Sequence, residues 1–106
     1  MVIHFAPDIG IQLHFWRLYL PDVRCPLTSF DDRQKYGLPA PIDAVAELAK
    51  AITGLTVNGA TLDERSGDLR LDLGEVSVEI FNFTGYEIWT VFLPGGDGKY
   101  SNYVWK

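Results

Sequence analysis

The 106-residue chain has one cysteine, Cys25, and two histidines, His4 and His14. A lone cysteine excludes an internal disulfide, and a fold that does without one points to a reducing, cytoplasmic setting. No apolar run approaches the ~20 residues needed to span a bilayer. The opening "MVIHFAPDIG" has neither the basic flank nor the small-residue cleavage site of a secretory signal. A cytoplasmic protein that does not enter membranes is the expectation. Basic residues are also scarce: nine Lys and Arg stand against 14 Asp and Glu, a net charge of −5. Phosphate binding needs a basic face, so nucleic acid is not an expected partner.

Catalytic signatures are missing too. There is no Gly-x-Ser-x-Gly elbow and no HExxH. Gly95, Gly96 and Gly98 form a glycine-rich run, but it joins two strand-like segments where a phosphate loop would lead into a helix. His4 and His14 have no Cys or acid at metal-ligand spacing. Cys25 has the basic neighbour Arg24, which favours a thiolate, yet no base lies near it in sequence. Glu87 sits among aromatics, where burial would raise its pKa, but a polar strand position explains it as well. Asp97 in "PGGDG" is one carboxylate, far short of a calcium shell, and Gly and Asp are what a hairpin turn requires. No catalytic, cofactor-binding or metal-binding residue is therefore assigned.

What remains is rich in core-forming residues, 47% apolar and 13% aromatic. A chain of this length is one domain, 1–106, burying roughly 65% of its unfolded surface. Residues 1–20 read as strands. In "IQLHFWRLYL", Ile11, Leu13 and Phe15 alternate with Gln12 and His14 before the polar face is lost at Trp16 and Leu18. Leu13, Trp16 and Leu20 also suit a helix, which stays open as the rival reading. Residues 21–41 hold four prolines and no periodicity, a long surface loop of the kind that is often functional or mobile. "PIDAVAELAKAITG" predicts a helix over 42–53 with Ile42, Val45, Ala49 and Ile52 on its buried stripe and Gly54 as its C-cap.

Residues 55–106 read as a meander. Leu69, Leu71 and Leu73 alternate with Asp68, Arg70 and Asp72, and Val76, Val78 and Ile80 alternate with Ser77 and Glu79. Short turns then lead into strand 86–93 and a last strand, "KYSNYVWK". Leu71, Val78, Ile80 and Trp89 are the expected core. Phe81 and Phe83 leave the face of Val76, Val78 and Ile80. The fold class is α+β: an antiparallel β-meander of five or six strands with one helix packed on a face. Residues 55–98 carry eight acids and two arginines, a balance of −6, against +1 elsewhere. That balance describes a solvated sheet face or a surface for a basic protein.

Ile52-Thr53-Gly54, the strands "DLRLDL" and "VSVEI", Tyr86-Glu87-Ile88-Trp89 and Pro94-Gly95-Gly96 carry a resemblance. Over residues 50–106 the chain resembles small uncharacterised bacterial β-meander domains with a Tyr-Glu-x-Trp element. Some of those domains are similar to immunity proteins that neutralise a partner toxin. The resemblance implies a protein-binding role and brings no catalytic residues.

Three Trp, five Tyr and six Phe exceed what one helix on one sheet face hides. The leading expectation is a non-catalytic protein-interaction module, immunity-like or adaptor, with Trp16, Tyr100, Tyr103 and Trp105 on its interaction surface. The partner is a second copy in a homodimer or, failing that, a heteromeric chain. The alternative is a small-ligand-binding β module with an aromatic pocket lined by Trp16, Trp89, Tyr100 or Trp105. An enzyme ranks last.

Overall fold

The computed structural model describes residues 1–5, 9–83 and 88–93, and the backbone of 98–100. The chain is α+β, with one α-helix and antiparallel strands among the described residues. Nine strands are found among the described residues, shared between two sheets. Strands β1 (Val2–Phe5), β2 (Ile9–Gln12), β8 (Thr90–Phe92) and β9 (Gly98–Tyr100) form one sheet in the order β1-β2-β8-β9. Strands β3 (Phe15–Tyr19), β4 (Leu27–Thr28), β5 (Gly59–Leu62), β6 (Leu69–Leu73) and β7 (Val76–Phe81) form the other, in the order β4-β3-β7-β6-β5. Only β5, β6 and β7 make a consecutive meander; the N-terminal strands complete both sheets.

The described part of residues 1–20 thus settles as strands, and the lost alternation has a cause. "IQLHFWRLYL" is two strands in two sheets, joined at Leu13 and His14. Ile11 and Leu13 point inward from the first stretch, 3% and 1% exposed, but Trp16 and Leu18 point inward from the second, 3% and 0% exposed. Phe15, expected on the face of Ile11 and Leu13, turns to the other side and is half-buried. Strand side chains alternate with period two, so the odd spacing between Leu13 and Trp16 reverses the faces.

The five-stranded sheet lays its inner residues in rows. Trp16, Ile80 and Leu69 are register partners across β3, β7 and β6, followed by Leu18, Val78 and Leu71. The opposite face places Arg17, Glu79 and Arg70 in the row between. The expected core residues Leu71, Val78, Ile80 and Trp89 are 3%, 1%, 0% and 5% exposed.

Helix α1 spans Ala44–Ile52, inside the 42–53 that the sequence predicts. The Asp43 side chain accepts from the Ala46 N–H, and Asp32 from the loop accepts from the Ala44 N–H at 2.9 Å. Two carboxylates thereby satisfy N–H groups that the first turn leaves orphaned. The buried stripe is Ala44, Leu48 and Ile52. Val45, predicted on that stripe, is 42% exposed, because the face that meets the core centres on Leu48 and the small Ala44.

The proline-rich segment is organised by its own polar groups. It contributes β4 and a 3-10 turn, Ser29–Asp31. The Asp31 carboxylate accepts from the Thr28 N–H at 2.9 Å, the Thr28 hydroxyl and the Tyr36 hydroxyl. Farther on, Arg33 and Ile42 are tied through the Arg33 N–H to the Ile42 carbonyl at 2.7 Å. The Thr28 N–H beside Asp31 holds its carboxyl below the usual range; burial opposes this, and the Tyr36 and Thr28 hydroxyls each add a smaller lowering.

Trp89 sits in a bend just before β8 and not within a long strand 86–93; Tyr86 and Glu87 lie outside the described residues. Its indole N–H donates to the Gly67 carbonyl at 2.7 Å, tying the β5–β6 turn to the core. Gly67 has φ +79°, and a Cβ there would lie 2.5 Å from the Asn82 side-chain nitrogen, so both conformation and space require glycine.

Two predictions follow from this packing. Trp89→Ala should cost about 3–5 kcal/mol in urea unfolding, and Trp89→Phe about 1–3 kcal/mol by orphaning the Gly67 carbonyl. A loss below about 1 kcal/mol for Trp89→Ala would show that the ring is not a core anchor. Because the Asp31 pKa is lowered in the fold, its contribution is full above the unfolded value of roughly 4 and fades as pH falls through the lowered value. The stability gap between the protein and Asp31→Asn should therefore shrink as pH falls below about 4. A gap independent of pH from 7 downwards would contradict the ionised Asp31 bridge.

Candidate functional site

Of the sequence-expected interaction residues, Trp16 alone has a described side chain. Trp16 is a core residue, 3% exposed, and cannot belong to a surface: its inward face follows from the reversal at Leu13 and His14. Tyr100 lies in β9 with its backbone paired to Thr90, and its side chain is outside the described residues, as are Tyr103 and Trp105. Trp89 is buried, 5% exposed, and is not among the residues lining the two concavities described below. His4, His14 and Cys25 are each exposed. Among the described residues no group of three His, Cys, Asp or Glu could hold a metal ion.

Among the described residues, four phenylalanines gather on one surface. Phe15 and Phe81 are register partners on the outer face of β3 and β7. Phe30 stacks on Phe15, with ring centroids 5.1 Å apart and planes 18° apart. Phe83 meets Phe15 edge-on at 5.0 Å and 68°. Both geometries are favoured arrangements of ring quadrupoles, worth about 0.5–1.5 kcal/mol per pair. Yet Phe30 is 70% and Phe83 44% exposed. Together the four rings border a shallow groove of about 460 Å³.

Rigid elements hold this patch. The Trp16 N–H on β3 donates to the Ser29 hydroxyl at 3.1 Å, and the Phe30 N–H donates to the Thr28 hydroxyl at 3.2 Å. Thr28 pairs with Arg17 across β3 and β4. The turn carrying Phe30 is thereby pinned to the strand carrying Phe15, and Asp31 closes it from behind. The Arg17 guanidinium carbon lies 4.7 Å above the Phe81 ring. Beyond the aromatics, this face is a solvated charge ladder: Arg70 reaches Asp72 at 3.1 Å and Glu79 at 3.8 Å. Exposed pairs of this kind add little stability.

The sequence contained part of this signal. Phe81 and Phe83 stood out for leaving the core face of β7, and the 21–41 loop for its length. Phe30 and Phe15 were missed because their meeting depends on the loop's path and on the reversal after Leu13.

A second concavity opens between the sheets. Ile3, Ile11 and Val91 form one wall, Leu69 and Leu71 the other, and Ile52 at the end of α1 closes one side around about 800 Å³. Polar side chains are few along it. Among the described residues no helix is long and apolar enough to cross a membrane. Comparison with family models, curated proteins and solved structures finds no match to this chain.

Proposed function

We propose that the protein is a non-catalytic protein-interaction module, adaptor or immunity-like, and that Phe15, Phe30, Phe81 and Phe83 are its binding surface. The observation that carries this reading is Phe30: a large apolar ring, 70% exposed, held in place by hydrogen bonds on both flanking residues. Exposed apolar clusters on monomers mark interaction sites, and aromatic residues and Arg are enriched where chains meet. A patch fixed before binding loses less conformational entropy on association. A second copy, as the aromatic surplus suggests, is one protein that could occupy it.

Selection of a random peptide display library on the immobilised protein tests this reading. Enriched peptides are expected to lose binding to the Phe30→Ala, Phe83→Ala double variant, which gives up two ring pairs worth about 0.5–1.5 kcal/mol each but should keep the circular dichroism spectrum and cooperative unfolding of the parent. No enrichment, or binders indifferent to the double variant, would refute the patch as a binding surface.

The cleft of about 800 Å³ favours a second reading, an apolar small-ligand carrier, since its size and lining match ligand sites. In that case lauric acid should bind by calorimetry, and Ala60→Trp, at the cleft wall, should abolish binding. Absence of heat at millimolar ligand would remove this reading.

A further inference from the structure

Among the described residues of the patch, Arg17 is a charged group that makes no ion pair. Arg17 is exposed and lies over Phe81. Its register neighbour Glu79 pairs with Arg70 instead, at 3.8 Å, and among the described residues no ion pair forms on Arg17. The acids on the same rim are engaged elsewhere. Asp31 is occupied on both oxygens by Thr28 and Tyr36, and Asp32 by the Ala44 N–H and Arg33.

Resting on the protein-binding reading above, we propose that this site recognises a segment of a different protein in which an aromatic side chain stands beside a carboxylate. The aromatic ring lies against Phe15, Phe30 and Phe83, and the carboxylate takes the Arg17 guanidinium. Any partner that covers the patch removes water from Arg17. A purely apolar partner leaves that cation desolvated and unpaired, which is costly. A carboxylate matches its fork of N–H donors in a charge-assisted, bidentate bond. The Phe81 ring beneath holds the guanidinium by a cation–π contact, leaving its donors for the partner.

Charge complementarity also argues against a second copy as the occupant. A two-fold contact is isologous, so one centred on this patch brings each Arg17 towards its symmetry mate. Among the described residues, Asp31 and Asp32 are already engaged and so are not free to answer that pair of cations. A separate chain supplying its own carboxylate meets no such conflict.

Two synthetic peptides test the proposal, acetyl-Gly-Trp-Glu-Leu-Gly-amide and its isostere with Gln in place of Glu. Binding is followed by amide shift changes in nitrogen-15-labelled protein at millimolar peptide. The Glu peptide should bind at least about tenfold more tightly, and the shifts should centre on Phe15, Arg17, Phe30 and Phe81. Arg17→Gln should erase the difference between the peptides, and Arg17→Lys should restore only part of it. Equal binding of the two peptides would overturn the carboxylate while leaving the protein-binding patch standing. Failure of both peptides to bind would overturn the proposal, as would discrimination that survives Arg17→Gln. So would a dimer in sedimentation equilibrium that Phe30→Ala dissolves, since the second copy would then be the occupant.

Discussion

The reversal of strand phase between Leu13 and Trp16 governs the rest of the molecule. Strand β2 ends at Gln12 in the four-stranded sheet, and β3 begins at Phe15 in the five-stranded one. A strand that continued in phase would turn Phe15 to the core and Trp16 to solvent. The crossing does the opposite. Trp16 enters the row of Ile80 and Leu69, and Phe15 emerges beside Phe81. Core and patch are two consequences of one geometric step, since a shift of one residue exchanges every side chain between faces.

The second requirement is the ordering of the proline-rich segment. Proline removes donors and restricts the backbone, so such a stretch cannot be held by a long ladder. Here side chains take over. Thr28, Ser29 and Asp31 fix the turn against β3, while Asp32 and Asp43 cap the helix that follows. A carboxylate at each corner thus converts a loop into a mount for Phe30. The same residues connect the patch to the helix and, through Leu48, to the core.

What was legible in the sequence follows locality. β6 and β7 were readable because Leu69, Leu71, Leu73 and Val76, Val78, Ile80 alternate strictly, and that periodicity is set within the strand. Trp89 was readable as core by its size and neighbours, although it sits in a bend and anchors Gly67, a partner 22 positions away. The helix was placed to within two residues, but its buried stripe only in part: Ile52 is buried and Ile42 packs on the core, whereas Val45 is exposed. Which turn faces the core depended on a cap from Asp32, distant in sequence. The division into two sheets and the meeting of Phe15 with Phe30 were not readable, for they arise from pairing between segments that carry no mutual signal. Trp16 shows the cost: an aromatic at a lapse in alternation looked like surplus surface, when the lapse was the change of sheet.

The claim that the phenylalanine patch is a binding surface is open to one direct measurement. Hydroxyl-radical footprinting with mass spectrometry reports the solvent access of every phenylalanine at once, and Phe92, 47% exposed and outside the patch, provides an internal standard. With the protein saturated by a peptide partner obtained from display selection, oxidation of Phe30 and Phe83 should fall at least severalfold while Phe92 stays unchanged. Phe30 and Phe83 remaining as reactive as in the free protein, or protection appearing at Phe92 instead, would contradict the assignment of the patch.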